Sequence, residues 1–183
     1  MTTSNYTPVL HPTRIDLPPE IRQYVIKMLN QNLACAVDLR SQVKQACWNV
    51  KGQDFSPLRA LFTTIAIELA AYSDLLAERI SVLGGVVRGT VRTVAMQSKL
   101  PEYPDALVEG NAHVLALAER FAYYATVVRD EISHAADVED ADTAAICTDI
   151  SRGVDKQLWI LEAHLHRPVA IAELKSQPGN TEQ

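Results

Sequence analysis

The spacing of apolar residues over positions 58–83 constrains the fold more than any other feature of the sequence. Leucine, isoleucine, phenylalanine and tyrosine recur there at intervals of three and four, up to Gly84 and Gly85. This spacing predicts an amphipathic helix with a wide apolar stripe. The glycine pair predicts its C-terminal end, and Ser56 with the proline that follows predicts its start. Residues 44–90 are therefore predicted to contain a helical hairpin.

Three further segments keep the same helical phase. A first helix is predicted from a cap at Asp16 to about residue 49, and two later helices over about 105–136 and 140–166. The connection over residues 86–104 is long enough to hold a short helix after Thr90, so the hairpins need not be sequential neighbours. The fold class predicted is all-α, a four-helix bundle with one long crossover. The domain spans residues 16–167, with tails over 1–15 and 168–183.

Composition limits the function classes. The chain has 183 residues, 48% of them apolar, and a net charge of −5, which argues against binding nucleic acid through the overall field. Each terminal tail carries few cations, so DNA binding through the tails is disfavoured. No apolar run approaches the roughly 20 residues of a membrane span, and no secretory leader pattern is visible. The three cysteines show no CxxC spacing, which favours free thiols and a cytoplasmic location.

Asp74 and Glu78 are the carboxylates that point to chemistry within the hairpin. They lie four residues apart, so a helix places their side chains on one face. Such a pair can share a hard cation or bind an arginine, and most such pairs on helices face water. The residues leave these alternatives open.

Three segments carry a resemblance to a known family: KQACWNVKG at residues 44–52, SDLLAERISVLGGVVRGT at 73–90 and DKQLWILEAHL at 155–165. In this order they resemble Dps, the mini-ferritins that protect bacterial DNA from iron and peroxide. The resemblance implies a ferritin-like bundle and a homododecamer with two-fold interfaces. It also implies iron as the metal and ferroxidase activity, with a role in oxidative stress.

In Dps proteins the ferroxidase centre lies between two subunits, and this sequence departs from its ligand pattern on one side. Cys47 and Arg59 stand where histidines are expected, and Thr63 stands where an aspartate is expected. Asp74 and Glu78 match the aspartate and glutamate that the neighbouring subunit supplies. Arginine is always protonated and offers no lone pair, so Arg59 cannot be a metal ligand.

This departure leaves two functions open. One is an iron-sequestering cage in which Asp74 and Glu78 still bind metal. The other is a non-catalytic shell, or a protein for another metal such as zinc, in which Arg59 forms a salt bridge with Asp74 and Glu78 across the interface. In a third alternative for the side chain itself, Arg59 points to solvent or the cavity. Cys47 is a soft-metal ligand or a small buried residue, and whether the chain is an enzyme stays open.

Other residues carry weaker expectations. Trp48 and Trp159 match tryptophans that lie near the interface in this family. By the resemblance, four acidic residues near the start of the last helix are candidates for an iron-entry pore, and the alternative is a solvated turn with Asp140 or Asp142 as N-cap. These candidates are Asp137, Glu139, Asp140 and Asp142. Glu131 and His134 form a single Glu-x-x-His pair, which on its own is a weak indication of metal.

Overall fold

The structure is a computed structural model, and it describes residues 9–166. Within that range the chain forms five helices and no strand, which confirms the all-α prediction. Four helices are long and one short helix lies in the crossover. Their bounds are α1 Pro19–Asn49, α2 Phe55–Val82, α3 Val91–Gln97, α4 Gly110–Asp137 and α5 Ala141–Leu165.

The four long helices form two hairpins that pack against each other. α1 packs along α2 and α4 along α5, while α1 also contacts α4 and α2 contacts α5. The core between them contains completely buried aromatic side chains, among them Phe62, Phe121 and Tyr124. Burying an apolar side chain of this size contributes about 1.5–3 kcal/mol relative to leaving it exposed. The crossover lets both hairpins bury their apolar stripes in one core.

Two predicted helix starts are wrong, and prolines explain the first. α1 begins at Pro19, with Pro18 at the N-cap and no side-chain cap, so Asp16 does not cap the helix. Pro18 precedes another proline, which favours the extended backbone that it adopts (ψ 146°). α2 begins at Phe55 rather than after Ser56.

The start of α4 lies five residues later than the sequence predicts. α4 begins at Gly110 instead of about residue 105. The backbone before it is extended, because the Lys51 N–H donates to the Val108 carbonyl at 3.0 Å and Lys51 forms a parallel bridge with Glu109. This contact holds the start of α4 beside the α1–α2 turn.

Gly84 ends α2 as the sequence predicts. Its φ of +83° lies in the left-handed region, where side chains other than glycine are strained. The Gly85 N–H donates back to the Ile80 carbonyl at 2.8 Å, which satisfies one of the last carbonyls of the helix. A Cβ at Gly84 would also lie 2.4 Å from the His11 carbonyl oxygen.

The described end of the predicted N-terminal tail packs against the bundle. The His11 N–H donates to the Gly84 carbonyl at 2.7 Å, and Leu10 packs on the core. Arg22 is buried and donates to the carbonyls of Leu83 at 3.1 Å and Leu17 at 3.2 Å. The predicted C-terminal tail, residues 168–183, lies outside the described residues.

Buried and half-buried polar side chains connect the two hairpins, and we call this set the polar seam. It consists of Asn32–Glu131 between α1 and α4, and of Glu68–Gln157 and Arg79–Asp140 between α2 and α5. Each pair joins residues from different hairpins, so the pairs form only when both hairpins have docked.

The helix α2 is more apolar than expected from the absence of an apolar run as long as a membrane span. By length and composition α2 is apolar enough to cross a membrane, with a mean hydropathy of 1.4 over its best 18-residue window. This is weak evidence for a span, because core helices of soluble proteins pass the same test. Only 28% of that window is buried within the chain, so much of an apolar helix is left uncovered.

Candidate metal centre

The three replaced ligand positions lie together at the corner between α1 and α2. The Cys47 sulfur is 3.5 Å from the Thr63 hydroxyl oxygen and 3.8 Å from the Arg59 carbonyl oxygen. The Thr63 hydroxyl donates to the same carbonyl at 2.8 Å. Cys47 is 4% exposed and is packed in the core cluster. Its thiol therefore acts as a small buried side chain in the single chain, and the Thr63 hydroxyl makes a local hydrogen bond to the backbone.

The Arg59 side chain is exposed beside this corner. Its guanidinium carbon lies 5.7 Å from the centre of the Phe55 ring, a distance at which cation and ring attract each other. With Ser56, Ala60 and Thr63 these two residues line a surface recess of about 440 Å³. Within residues 9–166 no carboxylate forms an ion pair with Arg59. A positive charge thus stands where the family pattern expects metal ligands.

Asp74 and Glu78 lie far from that corner in the same chain. Both are exposed on α2, and their separation from Arg59 along the helix is roughly 22 Å and 28 Å at 1.5 Å per residue. No group of three or more His, Cys, Asp or Glu side chains converges within the described part of the chain in a way that could hold a metal ion. The two halves of the predicted site therefore do not meet in one subunit, and two carboxylates alone supply an incomplete ligand set.

Both predicted interface tryptophans are exposed. Trp48 is 68% exposed and lies under the Lys44 ammonium, which is 5.5 Å from the ring centre. Trp159, on α5, is 66% exposed. Exposed apolar side chains that occur singly are ordinary on protein surfaces, so an interface role for the two tryptophans stays a prediction.

The four acidic residues near α5 separate into two environments. Asp140 is 2% exposed and accepts from Arg79 at 2.6 Å and from the Thr143 backbone N–H at 3.0 Å, so it is the N-cap of α5. Asp137, Glu139 and Asp142 are exposed, and Glu139 has a positive φ of 61°. The N-cap alternative thus holds for Asp140, and a pore role stays a prediction for the exposed carboxylates.

Glu131 is a buried, hydrogen-bonded carboxyl, whereas the sequence alone gave only a weak indication that it binds metal. It is 5% exposed and accepts a hydrogen bond from the Asn32 amide, which in turn accepts from the Tyr124 hydroxyl at 2.6 Å. The Cys147 thiol lies 4.0 Å from the same carboxyl oxygen. His134 is exposed, so the Glu-x-x-His pair does not converge.

Burial controls the protonation of this interior cluster. Desolvation raises the pKa of Glu131 to about 8, even though the Asn32 hydrogen bond acts in the opposite direction. Burial, and next the Glu131 carboxyl, raise the pKa of Cys147 to about 12. Glu131 is therefore mainly protonated at neutral pH. Its burial could have been predicted from the sequence, because it lies three residues after buried Val128 and four before buried Ala135, which is the spacing of one helix face.

The fold defines the class of protein. A four-helix bundle with one long crossover connection is the arrangement found in ferritin-like folds. Residues 26–168 match the family model described as a ferritin-like domain.

Individual relatives narrow the class to one family. The chain is 39% identical over 155 residues to the DNA protection during starvation protein of Agrobacterium fabrum, covering 85% of this chain and 96% of the relative. The chain belongs to the Dps family. DpsC from Streptomyces coelicolor has a similar structure, with a TM-score of 0.83, 27% identity and coverage of 88% of this chain and 95% of that one. Dps from Microbacterium arborescens, solved in its high iron form, gives a TM-score of 0.76, 26% identity and coverage of 86% and 99%.

Proposed function

We propose that this protein is a cytoplasmic iron-sequestering cage that protects its cell against iron and peroxide. The observation that supports this most directly is the pair Asp74 and Glu78, which are exposed four residues apart on α2 and match the family's carboxylate ligands. Carboxylate oxygens are hard ligands that suit iron and stabilise its ferric form. In this proposal iron is the substrate and the stored cargo.

The cage itself is part of the proposal. We infer a homododecamer with two-fold interfaces, in agreement with the uncovered apolar side chains on α2 and the two exposed tryptophans. Zinc or copper would need Cys47 as a soft ligand, but this thiol is buried, and its polar contacts within residues 9–166 are the Thr63 hydroxyl and the Arg59 carbonyl. Iron at the carboxylates is therefore preferred. The net charge of −5 gives no support for DNA binding through the tails, although the Agrobacterium relative is named for DNA protection.

The second candidate is a non-catalytic shell, or a protein for another metal, in which Arg59 forms a salt bridge with Asp74 and Glu78 across a subunit interface. The environment of Arg59 favours it, because this exposed guanidinium has no ion-pair partner among residues 9–166. The two candidates differ in whether the carboxylates remain available to iron.

Stopped-flow absorbance after mixing ferrous iron with the assembled protein, and with oxygen or peroxide, separates them. The test variant is Asp74→Ala with Glu78→Ala, and the matched control is Glu119→Ala with Asp130→Ala, which removes the same charge from exposed positions on α4. The cage proposal expects oxidation faster than in protein-free buffer, lost in the test variant and kept in the control. Oxidation no faster than in buffer would reject a working centre and favour the shell.

A further inference from the structure

The last part of the crossover is held on α4 by a buried tyrosine. We call residues 98–109 the crossover end. Tyr103 is 6% exposed, and its hydroxyl oxygen lies 2.7 Å from Nδ1 of His113, which is 1% exposed. The two rings are nearly parallel, with an interplanar angle of 13° and centroids 6.1 Å apart. This contact therefore joins the crossover end to the first turn of α4.

Arg120 contacts the same tyrosine from two turns further along α4. Its guanidinium carbon lies 5.5 Å from the centre of the Tyr103 ring, and the guanidinium donates to the Glu102 carbonyl. Arg120 is 5% exposed and stays charged at every working pH. The Tyr103 ring thus already has a buried cation as a neighbour, so a positive charge on His113 would be a second one against it.

The hydrogen bond to Tyr103 requires a neutral His113. Burial raises the pKa of Tyr103 to about 12, so the hydroxyl keeps its proton. Within residues 9–166 the Nδ1 atom is the only hydrogen-bond partner of this hydroxyl, so the hydroxyl donates to it. Nδ1 can accept only while it is unprotonated. Burial lowers the pKa of His113 from its ordinary value of 6.5, although the Leu107 backbone carbonyl acts in the opposite direction.

No carboxylate is placed to stabilise a charged His113. The ionisable groups of the neighbouring segments are exposed, and within residues 9–166 none of them forms a hydrogen bond or an ion pair with the His113 ring. They are Glu102 in the crossover end, Glu109 before α4, Lys51 and Asp54 in the α1–α2 turn, and His164 and His166 at the end of α5. An imidazolium here would therefore be buried without a counterion.

We propose that His113 is a pH-sensitive fastening, which holds the crossover end on α4 while it is neutral and releases that segment when it is protonated, with the four-helix core still folded. The crossover end includes the Val108 carbonyl, which accepts from the Lys51 N–H at 3.0 Å. Its release therefore also frees the α1–α2 turn from α4. The core persists because its buried side chains, among them Phe62 and Phe121, lie on the long helices.

The direction of the pH effect follows from counting protons. The released imidazole has the ordinary pKa of 6.5 and the docked imidazole a lower one, so release takes up a proton once the pH falls below 6.5. Above that value the opening equilibrium does not depend on this group. Below it, opening rises by at most about tenfold per pH unit, until the docked ring also becomes protonated.

Hydrogen exchange of the assembled protein, followed by mass spectrometry of peptic peptides, measures this opening at the Lys51 amide and across the crossover end. After correction for the intrinsic effect of pH on exchange, the opening constant is expected to be equal at pH 8 and pH 7 and to rise at least roughly fivefold from pH 7 to pH 5. Peptides around buried Ile65 in α2 are expected to stay protected. An unchanged opening constant, or an equal rise throughout the bundle, overturns the proposal.

Substitutions assign the effect to the fastening. His113→Asn keeps an oxygen acceptor near the position of Nδ1 but does not titrate, so the rise is expected to fall below about twofold. His134→Asn, exposed on the same helix, is the control that keeps the rise. Tyr103→Phe keeps the ring without the hydroxyl and is expected to increase opening at pH 7 at least roughly fivefold. A rise retained in His113→Asn, or unchanged opening in Tyr103→Phe, overturns the fastening. The readout does not use iron, so it is independent of the proposed function.

Discussion

The buried carboxyl of Glu131 predicts a pH dependence of stability that can be measured with one conservative substitution. Glu131→Gln keeps the size of the side chain and an acceptor for the Asn32 amide, but it removes the ionisable group. Within the folded chain the pKa of this carboxyl is raised to about 8 from the ordinary value of 4.5. The wild-type protein should therefore lose stability relative to the variant as the pH rises.

The sign follows from counting protons in the two states. Between the two pKa values the folded state keeps the Glu131 proton and the unfolded state has lost it, so unfolding releases a proton and is favoured by higher pH. Stability from this group is fully present below the unfolded pKa and is lost as pH rises through the folded pKa. The slope is about 1.4 kcal/mol per pH unit, which gives about 4 kcal/mol between pH 5 and pH 8.

The assay is urea unfolding followed by circular dichroism at pH 5, 6, 7 and 8, at one protein concentration because assembly contributes to stability. The free energy of unfolding of the wild type minus that of Glu131→Gln is expected to fall steadily across this range and level off above pH 8. Glu162→Gln, an exposed glutamate on α5, controls for the loss of one negative charge. Parallel curves for wild type and Glu131→Gln would show that the carboxyl is ionised in the folded protein and would refute the reasoning.

Two substitutions test the packing between α2 and α5. A Cβ at Gly153 would lie 1.8 Å from the Tyr72 hydroxyl oxygen, so Gly153→Ala should destabilise the fold by about 1–3 kcal/mol in urea unfolding despite alanine's better helix propensity. Adding Tyr72→Phe should reduce that cost, and a stabilised Gly153→Ala protein would contradict the packing. Arg79→Leu leaves Asp140 buried without its cation and should lower the thermal midpoint strongly, at a cost of about 3–5 kcal/mol. Arg79→Leu with Asp140→Asn should recover part of this, and equal midpoints for the single and double variants would argue against the ion pair.

The helices were predictable because their signals are local. Apolar spacing and the glycine pair located α2, with Gly84 in the left-handed conformation that ends it. The short helix after Thr90 formed as predicted, as α3. Cys47 and Thr63 meet at the hairpin corner because they flank one short turn, so their adjacency also follows from the local chain.

The environments of charged residues were less predictable because they depend on docking between distant segments. The N-cap role of Asp140 was one of its two predicted alternatives, but its buried ion pair was not predicted, because its partner Arg79 is 61 residues away in sequence. Glu131 was predicted only as part of a weak Glu-x-x-His pair with His134, yet the docking of α1 places Asn32 against it, 99 residues away. A pairing of Arg59 with carboxylates of a second chain stays a prediction, because it would depend on assembly as well as on folding.

The polar seam has a consequence for how the two hairpins select their alignment. Apolar stripes are tolerant surfaces, because a slip of one helical turn along α4 and α5 would still place hydrophobic side chains against each other. The same slip would leave Glu131 and Asp140 buried without Asn32 and Arg79, at a cost of several kcal/mol for each unpaired buried group. The polar seam therefore favours the native register, because a misaligned bundle would leave buried polar groups without their partners.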